Sequence, residues 1–353
     1  MYIPTGFLGA QQKRYIATGG TTTTFTSGSI TYQSHTFTSN GTFEITQQAT
    51  SDKILLLIVA GGASGGGGEI LSATYDLGGG GGGAGGAKMF NDITSSVGSY
   101  AVAVGTGGAA RVGSGLAGIN GNNSSALGKS TTGGGAGGGG FQTAGFAGGS
   151  GGGTGGGQSG IAQPGTGVTN EGNIGGYGCY SNTYCPSCDW AGGGGGGAGT
   201  RGMSNSSTSG CGDRPGGSGS YFNIRTGVDE LYAEGGNGGS SFFTPIPTTR
   251  GSGGTGGTSS TFTSDAGIDG IVVITYPIRA ERPTPAPPLE CEEYRFGAGP
   301  GGSTATYTLC GELTQSTEVV GASTSVDRCI TSGSAKGITG SGASINLLGD
   351  CTP

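Results

Sequence analysis

Residues 78–86 read GGGGGGAGG, and glycine runs of similar length recur between residues 61 and 270. The chain has 88 glycines among its 353 residues, and most of them lie in this stretch. The other runs, interrupted mainly by Ala, Ser, Thr and Asn, are residues 65–68, 133–140, 148–157, 192–199, 235–239 and 251–257. A glycine run has no side chain to bury and loses much backbone entropy on ordering. It therefore holds neither an α-helix nor a strand by itself.

Two structures are compatible with such runs. One is a flexible low-complexity linker. The other is an ordered bundle, in which each run is an extended left-handed helix with three residues per turn and a rise of about 3.1 Å. Hydrophobic and aromatic residues between the runs favour the bundle, because a linker does not need them. We predict a lattice of hydrogen-bonded polyglycine helices, with nearly pure glycine inside and Ala, Ser or Thr on the outward third of the outer helices.

A strand pair is predicted just before the glycine-rich stretch. Residues 31–38 read TYQSHTFT, which alternates like a half-buried strand, and residues 42–45 read TFEI. Between them, Ser39-Asn40-Gly41 contains the Asn-Gly pair that is typical of tight turns between antiparallel strands. We therefore predict a β-hairpin.

Three further segments predict strands. Residues 54–60, ILLLIVA, are apolar at every position, which predicts a central strand covered on both faces. Residues 99–105, SYAVAVG, and residues 270–276, GIVVITY, are similar in composition. No stretch has a convincing amphipathic helical pattern. The predicted fold is mainly β plus irregular structure: a small β-sandwich bearing a packed polyglycine II lattice, a small C-terminal β module, and almost no α-helix.

Changes in composition predict four parts of the chain. Residues 1–29 are predicted to be an N-terminal docking arm, with a frayed terminus as the alternative. Residues 30–276 form the glycine-rich domain. Residues 277–290 form a stiff linker, since they include RPTPAPP at residues 282–288. Residues 291–353 form a small module that is rich in Thr, Ser and Val and contains cysteines.

Composition also excludes several classes of partner. Only 32% of the residues are hydrophobic, so the apolar core must be small. The chain has 10% charged residues and a net charge of −6, which provides no basic stripe for nucleic acid and no polybasic segment for a membrane surface. The longest apolar run, residues 54–60, is too short to span a bilayer. Residues 1–14 lack the pattern of a secretory signal. We expect neither nucleic acid binding nor membrane insertion.

The strands that bracket the glycines resemble a known domain. HTFTSNGTFEI at residues 35–45, ILLLIVAGGASGGGG at 54–68, SYAVAVGTGGAA at 99–110 and GIDGIVVITY at 267–276 occur in the order seen in glycine-rich domains of bacteriophage tail and fibre proteins. The resemblance covers roughly residues 30–278. In construction the chain is also similar to the polyglycine tail-tip adhesins of T-even-like bacteriophages. The cysteine cluster within the glycine runs and the C-terminal module depart from that pattern.

The resemblance implies a component of the virion surface that attaches the particle to its host. We expect a fibre or tail-tip adhesin that binds other virion structural proteins and a glycan or outer-membrane protein of the host surface. One alternative is a structural head-fibre or decoration protein without specific receptor binding. Another is a bacterial surface protein, which the missing export signal disfavours. Because fibres commonly have threefold symmetry, we expect a homotrimer or a monomer that caps one.

Two inserts between glycine runs are the candidates for receptor contact. Residues 177–190 hold the only tryptophan and three tyrosines, and residues 220–232 add more aromatic surface. Tyr and Trp combine a rigid apolar face with a polar tip, and neighbouring Ser and Asn supply adaptable hydrogen bonds. The alternative is that the rings form a small core or cover the edges of the lattice. The candidate contact residues are Tyr177, Tyr180, Tyr184, Trp190, Tyr221 and Phe222.

The eight cysteines fall into two groups of four, and even numbers favour disulfides that form outside the reducing cytosol. The first group lies among the glycine runs: Cys179, Cys185, Cys188 and Cys211. A zinc site with four thiolate ligands is the alternative there, because residues 185–188 read C-P-S-C. The irregular outer spacing favours two disulfides instead, and we assign no metal.

The second group lies in the C-terminal module: Cys291, Cys310, Cys329 and Cys351. Residues 297–302, GAGPGG, predict a turn, and Cys291 and Cys310 flank it symmetrically. We predict a hairpin that pairs Cys291 with Cys310 and leaves Cys329 for Cys351. Four cysteines allow three pairings, and sequence alone does not choose among them.

The sequence contains no recognisable catalytic motif. His35 is the only histidine, and its polar neighbours in a predicted strand indicate a solvated or hydrogen-bonded structural residue. No pair of carboxylates stands out. The glycine runs lack both the Lys-Ser/Thr ending and the strand-turn-helix setting of a phosphate-binding loop. We therefore expect no enzymatic activity and no cofactor.

Overall fold

A computed structural model describes residues 13–72, 75–141, 143–157, 162–179, 190–204, 214–240, 246–258, 262–280, 291–298, 300–307, 316–331, 336–339 and 344–350. These residues form β-strands and extended segments, and they contain no α-helix. The predicted fold class, mainly β with almost no α-helix, is confirmed. Among the described residues no helix is long and apolar enough to cross a membrane. The chain divides into two compact units, Met1–Ala280 and Glu281–Pro353.

Antiparallel strands bracket the glycine runs of the first unit. They are β1 (Ile16–Thr18), β2 (Thr21–Ser27), β3 (Ile30–Phe37), β4 (Gly41–Gln47), β5 (Ile54–Val59), β6 (Glu69–Ser72), β7 (Tyr75–Leu77), β8 (Ala87–Ile93), β9 (Gly98–Val102), β10 (Ser124–Ala126), β11 (Lys129–Thr131), β12 (Ser220–Phe222), β13 (Glu230–Tyr232) and β14 (Ile271–Ala280). The larger sheet has the order β2-β3-β14-β5-β8, and a three-stranded sheet has the order β1-β4-β9. The pairs β6-β7, β10-β11 and β12-β13 are hairpins.

The two larger sheets pack face to face as the predicted sandwich. Phe43 and Ile45 of the three-stranded sheet share one buried cluster with Leu56 and Ile58 of β5. The opposite face of the five-stranded sheet buries Leu57 and Val59 of β5 against Ile224 and Tyr232, which lie in and beside the β12-β13 hairpin. Strand β5 is therefore a central strand covered on both faces, as its continuous apolar sequence predicts.

The predicted hairpin around Asn40-Gly41 is wrong. Strand β3 pairs with β2 and β14, whereas β4 pairs with β1 and β9, so the turn carries the chain from one sheet to the other. In a hairpin the two strands lie side by side and their faces point the same way. Here the faces point at each other, since the rings of His35 and Phe43 meet edge to face with centroids 5.1 Å apart. The Asn40 Oδ1 atom accepts a hydrogen bond from the backbone N–H of Val104 instead of closing a hairpin (2.8 Å).

The docking arm predicted over residues 1–29 also needs correction. Strand β1 pairs with β4, and β2 pairs with β3 along its whole length. Tyr15 and Ala17 are buried in the core of the sandwich. This part of the chain therefore belongs to the first domain, because it completes both sheets. Residues 1–12 lie outside the described residues.

Two glycine segments continue directly from the larger sheet. Residues 60–68 follow β5 and residues 78–86 lead into β8, and the β6-β7 hairpin joins them at the far end. We call the end of the lattice at the β6-β7 hairpin the apical end, and the end at the sandwich the basal end. The two segments lie side by side, since the N–H groups of residues 60, 63 and 66 donate to the carbonyl groups of residues 86, 83 and 80.

Residues 78–86 form the central helix of the lattice. Their N–H groups donate, in a repeating order of three, to residues 190–196, 251–257 and 132–138. Their carbonyl groups accept from residues 60–66, 150–156 and 236–239. Six hydrogen-bonded neighbours surround one helix with three residues per turn, so the predicted polyglycine II lattice is confirmed.

Steric exclusion explains the glycine content. A Cβ atom on Gly82 in the central helix would collide with the carbonyl oxygen of Ala63. On the outer segment 116–122, a Cβ atom on Gly118 would collide with the carbonyl oxygen of Ser64 in the same way. The side chains of Leu116 and Ile119 in this segment point to solvent. The period of three on outer helices is as predicted, but in this segment the outward positions carry Leu and Ile as well as small residues.

The interior is less pure in glycine than predicted. Ser64, Ser150 and Thr154 are buried inside the lattice. Two of their hydroxyl groups serve as hydrogen-bond acceptors for the backbone: Ser64 Oγ accepts from the N–H of Ile119 (2.8 Å), and Thr154 Oγ1 accepts from the N–H of Gly178 (2.7 Å). A buried hydroxyl is tolerated there because it satisfies a backbone donor that would otherwise lack a partner.

The second unit is the predicted small β module. Its strands are β15 (Cys291–Gly297), β16 (Ser303–Tyr307), β17 (Ser316–Val320), β18 (Ser325–Thr331), β19 (Lys336–Thr339) and β20 (Ser344–Asp350). They form two three-stranded antiparallel sheets, with orders β18-β15-β20 and β17-β16-β19.

The predicted hairpin between Cys291 and Cys310 is not formed by β15 and β16. Strand β15 has β18 on one side and β20 on the other, so no edge is left for β16. Cys310 and Cys351 lie outside the described residues. The pairing of Cys291 with Cys310, and of Cys329 with Cys351, stays a prediction.

Candidate functional site

Several chain segments reach the apical end of the lattice at the same level. The N–H of Gly78 donates to Trp190 (2.8 Å), and the N–H of Gly156 donates to the carbonyl of Gly78 (2.8 Å). One residue further along, Gly79 donates to Gly257 (3.0 Å) and accepts from Gly239 (2.7 Å). These hydrogen bonds show which residues of the neighbouring glycine helices lie at the apical end.

Four of the connections between segments have flanking residues at or next to this end. They are residues 158–161, 180–189, 205–213 and 259–261, which themselves lie outside the described residues. Their flanks are held by the lattice: Cys179 donates its N–H to Ala191 (2.9 Å), and Gly238 donates to Arg214 (2.8 Å). The apical end is therefore a hydrogen-bonded base that anchors the flanks of several connections together.

The first predicted aromatic insert begins and ends at the apical end. Tyr177 is half-buried there, and its hydroxyl donates to Gln163 Oε1 (2.8 Å) while its N–H donates to Ser204 Oγ (3.0 Å). Tyr180 and Tyr184 lie outside the described residues. Tyr177 thus occupies the outer surface of the lattice, where its ring links two neighbouring segments.

Trp190 is not a surface residue, so its predicted role as a receptor contact is wrong. Only 1% of its surface is exposed, and it forms a buried cluster with Leu77 and Cys179. Leu77 directly precedes the central helix, so the indole lies at the apical end of the lattice. Trp190 is therefore part of a small core, the alternative that the sequence offered for these rings.

The second predicted insert lies at the opposite end. Tyr221 on β12 is 65% exposed, but β12 packs beside the larger sheet at the basal end. Phe222 is partly buried, and its ring centroid lies 6.1 Å from that of Tyr232. Among the predicted contact residues that the structure describes, Tyr177 and Trp190 therefore do not share a surface with Tyr221 and Phe222, because the length of the lattice separates the two pairs.

A polar network at the basal end was not predicted from the sequence. Arg225 donates from Nε to Glu230 Oε2 (2.7 Å) and from Nη2 to Glu230 Oε1, and the hydroxyl of Tyr232 donates to Glu230 Oε2 (2.7 Å). Hydrogen bonding from Arg225 holds the pKa of the Glu230 carboxyl below its ordinary value. The network orders the loop between β12 and β13, and Ser34 Oγ ties that loop to β3 by donating to the carbonyl of Arg225 (2.7 Å). An Arg in a loop and a Glu five residues later, at the start of β13, give no recognisable sequence signal.

A shallow groove of about 420 Å³ also lies at the basal end, beside β8. Lys88, Glu171 and Phe222 are among its lining residues. The Glu171 carboxylate accepts a hydrogen bond from the N–H of Thr132 (2.8 Å). The backbone carbonyl of Glu171 accepts one from the N–H of Ala87 (3.0 Å). These polar groups are used to fasten the turn at residues 168–172 to the sheet.

The cysteine cluster is only partly described. Cys179 is buried and is not free, while Cys185, Cys188 and Cys211 lie outside the described residues. Within the part of the chain that the structure describes, no three His, Cys, Asp or Glu side chains are grouped to hold a metal ion. Two disulfides in this cluster, and the zinc alternative, stay predictions.

Comparison with protein families agrees with this architecture. The sequence model of a glycine-rich domain matches residues 38–277, which is most of the chain and includes the whole lattice. The chain belongs to the glycine-rich domain family. The match begins after β3 and ends within β14, so β1, β2 and β3 lie outside the matched residues. No curated protein matches the chain significantly.

Proposed function

We propose that this glycine-rich domain protein is a bacteriophage fibre or tail-tip adhesin that attaches the virion to its host through the apical end of the lattice. The observation that carries the proposal is the position of the described residues that flank residues 158–161, 180–189, 205–213 and 259–261. Each is flanked by residues held at or next to the apical end, away from the sandwich. A binding surface assembled from several connections needs such a common base.

The lattice supplies rigidity to that base. The central helix is hydrogen-bonded on all sides, and its neighbours anchor the flanks of the four connections. A preordered surface loses less conformational entropy on binding, so more of its contact energy appears as affinity. Segment 180–189 reads YSNTYCPSCD, and its Tyr, Ser and Asn content is typical of recognition loops. We propose a glycan or an outer-membrane protein of the host surface as the ligand.

The experiment compares aromatic residues at the two ends. Labelled full-length protein is bound to cells of the bacterium on which the phage grows, using wild type, Tyr180→Ala, Tyr184→Ala and Tyr221→Ala. We expect the first two substitutions to reduce cell binding at least tenfold, on the order of what a central aromatic contact contributes. Tyr221→Ala is the control, since Tyr221 is exposed at the basal end. Equal binding by all four proteins would refute the apical adhesin.

A structural head-fibre or decoration protein is the second candidate. The burial of Trp190 favours it, because the residue with the largest aromatic surface of the insert serves the core instead of a receptor. In that case the other virion proteins are the partners, and particles that lack this protein adsorb to host cells at the normal rate. Measuring adsorption of such particles separates the two candidates.

A further inference from the structure

The two edges of the five-stranded sheet differ in their protection. The β8 edge is capped at its first residue, since the N–H of Ala87 donates to the carbonyl of Glu171 (3.0 Å) in the turn at residues 168–172. It is also charged, with the Nζ atoms of Lys88 and Lys129 lying 5.3 and 5.9 Å from the centroid of the Phe90 ring. Covering segments and lysines are the devices by which sheets avoid pairing with another chain.

Among the residues that the structure describes, the β2 edge has none of these devices. Its sequence TTTTFTS contains no charge and no proline. Its register with β3 is unbroken from the pair Thr21 and Thr36 to the pair Ser27 and Ile30, so no bulge twists the edge away. Six of its seven residues are exposed. A neutral, regular strand of this length is a template for pairing.

The turn after β2 shows which backbone groups are open. Gly28 and Ser29 alone connect Ser27 to Ile30, and Gly28 has a φ of 60°, as the first residue of a type II′ turn requires. In such a hairpin the closing pair exchanges hydrogen bonds, and the hydrogen-bonded pairs then alternate along the strands. The N–H and C=O groups of alternate residues therefore point away from β3. These outward residues are Thr22, Thr24 and Thr26, and no described residue outside the strand bonds to their backbone groups.

We propose that β2 is the contact between two copies of this chain, paired antiparallel about a two-fold axis at Thr24. In this register Thr24 faces the partner's Thr24, and Thr22 faces the partner's Thr26. Every outward residue then meets an outward residue, so all the open backbone groups of the strand become hydrogen-bonded. The two five-stranded sheets join into one continuous sheet.

A second copy fits this edge because the strand is complementary to itself. On one face of the pairing, threonines lie opposite threonines, which is a favourable cross-strand combination. On the other face, Thr23 lies opposite the partner's Phe25, whose ring is already fixed by stacking on Tyr32 with centroids 5.4 Å apart. The strand has no charge, so two copies meet without repulsion. This contact is independent of the adhesin proposal, since it lies on the sandwich and not at the apical end.

Sedimentation of the full chain over a range of concentrations tests the contact. A single strand pair buries less than a standard interface of about 1,600 Å², so we expect a dimer only at high concentration, on the order of 100 μM. Thr24→Lys places two like charges opposite each other on the axis, and so does Thr24→Glu. Each substitution alone is expected to weaken dimerisation at least about tenfold. A mixture of the two variants is expected to restore the dimer, because the charges then attract.

The same sedimentation experiment includes a control variant. Ser99→Lys places the same charge on an exposed strand residue of the other sheet and should leave dimerisation unchanged. A monomer at every concentration, or a trimer, overturns the two-fold contact. Dimers of either Thr24 variant at wild-type strength overturn it too, as does failure of the mixture to associate. Cell binding tests the adhesin separately, so the two proposals fail in different assays.

Discussion

The Nε2 atom of His35 lies 3.0 Å from the hydroxyl oxygen of Tyr276, and its Nδ1 atom lies 2.7 Å from the carbonyl oxygen of Gly19. Because a carbonyl oxygen only accepts, Nδ1 carries the proton and Nε2 accepts the hydroxyl proton of Tyr276. The only histidine of the chain is fully buried and joins β3, β14 and the link between β1 and β2. Of its two predicted roles, His35 has the structural one.

We expect acid to destabilise the folded protein through His35. Burial lowers the pKa of His35 below its ordinary value of 6.5, so the folded state favours the neutral ring. The unfolded chain binds the proton more tightly, and folding stability is therefore complete above about pH 6.5 and falls as the pH drops from there towards the folded pKa. Each unit of pKa depression corresponds to about 1.4 kcal/mol. Urea unfolding at several pH values between about 7.5 and 5 measures the loss.

The control for this prediction is His35→Gln, which cannot titrate. We expect it to be less stable than wild type at neutral pH and to lose the pH dependence in this range. If both proteins lose stability in parallel, the histidine is not the cause.

Removing the Tyr276 hydroxyl tests the same bond from the other side. We expect Tyr276→Phe to lower the free energy of unfolding by about 1–2 kcal/mol, since Nε2 of His35 is left buried without its donor. Tyr100→Phe is the matched substitution at the surface, where the hydroxyl donates to the carbonyl of Ser96 (2.9 Å). Denaturant unfolding should show little change for Tyr100→Phe. Equal effects of the two substitutions would count against the buried bond.

The lattice gives a prediction that compares two adjacent residues. In the outer segment 116–122, Gly118 faces inward and Ile119 faces solvent with 38% exposure. We expect Gly118→Ala to destabilise the protein by on the order of 3 kcal/mol, because the new methyl group collides with backbone. Ile119→Ala should change stability by less than about 1 kcal/mol. Thermal unfolding measures both, and a harmless Gly118→Ala would contradict the close approach of the helices.

The strands and the lattice could be predicted because their signals are local. The continuous apolar run of β5 requires cover on both faces. Glycine runs such as residues 78–86 offer no large side chain, so they can pack only by close approach of backbones. The partner of a strand is not a local property. The alternation in residues 31–38 suits a hairpin and a crossing between sheets equally well, and only the packing of His35 on Phe43 decides between them.

The candidate site was predictable in position more than in detail. An insert such as 177–190 that interrupts regular glycine helices must leave the lattice at one of its ends. Whether its aromatic rings are buried depends on neighbours that are distant in sequence. Trp190, for example, is buried because it packs with Leu77. The β2 strand escaped prediction because consecutive threonines show no alternation of polar and apolar residues.

A second acid-sensitive group gives a separate prediction. The pKa of Glu230 is lowered by its hydrogen bonds from Arg225, so this contribution to stability is present above about pH 4.5 and is lost as the pH falls through the folded pKa. Both side chains are partly exposed, and we expect Arg225→Gln to cost only about 1 kcal/mol at neutral pH. In urea unfolding, the difference between wild type and Arg225→Gln should shrink below about pH 4. A difference that stays constant down to that pH would exclude the ion pair as its source.

Trp190 allows its own burial to be measured, since it is the only tryptophan of the chain. We expect its fluorescence in the native protein to resist quenching by iodide and to become quenchable in urea, because only 1% of the residue is exposed. Trp190→Ala should lower the free energy of unfolding by about 3–5 kcal/mol, as removal of a large buried ring does. Tyr221→Ala, at a residue that is 65% exposed, should change it by less than about 1 kcal/mol. Any loss of cell binding in Trp190→Ala then follows from loss of structure at the apical end. Strong quenching of the native protein would instead place the indole at the surface and restore it as a candidate contact.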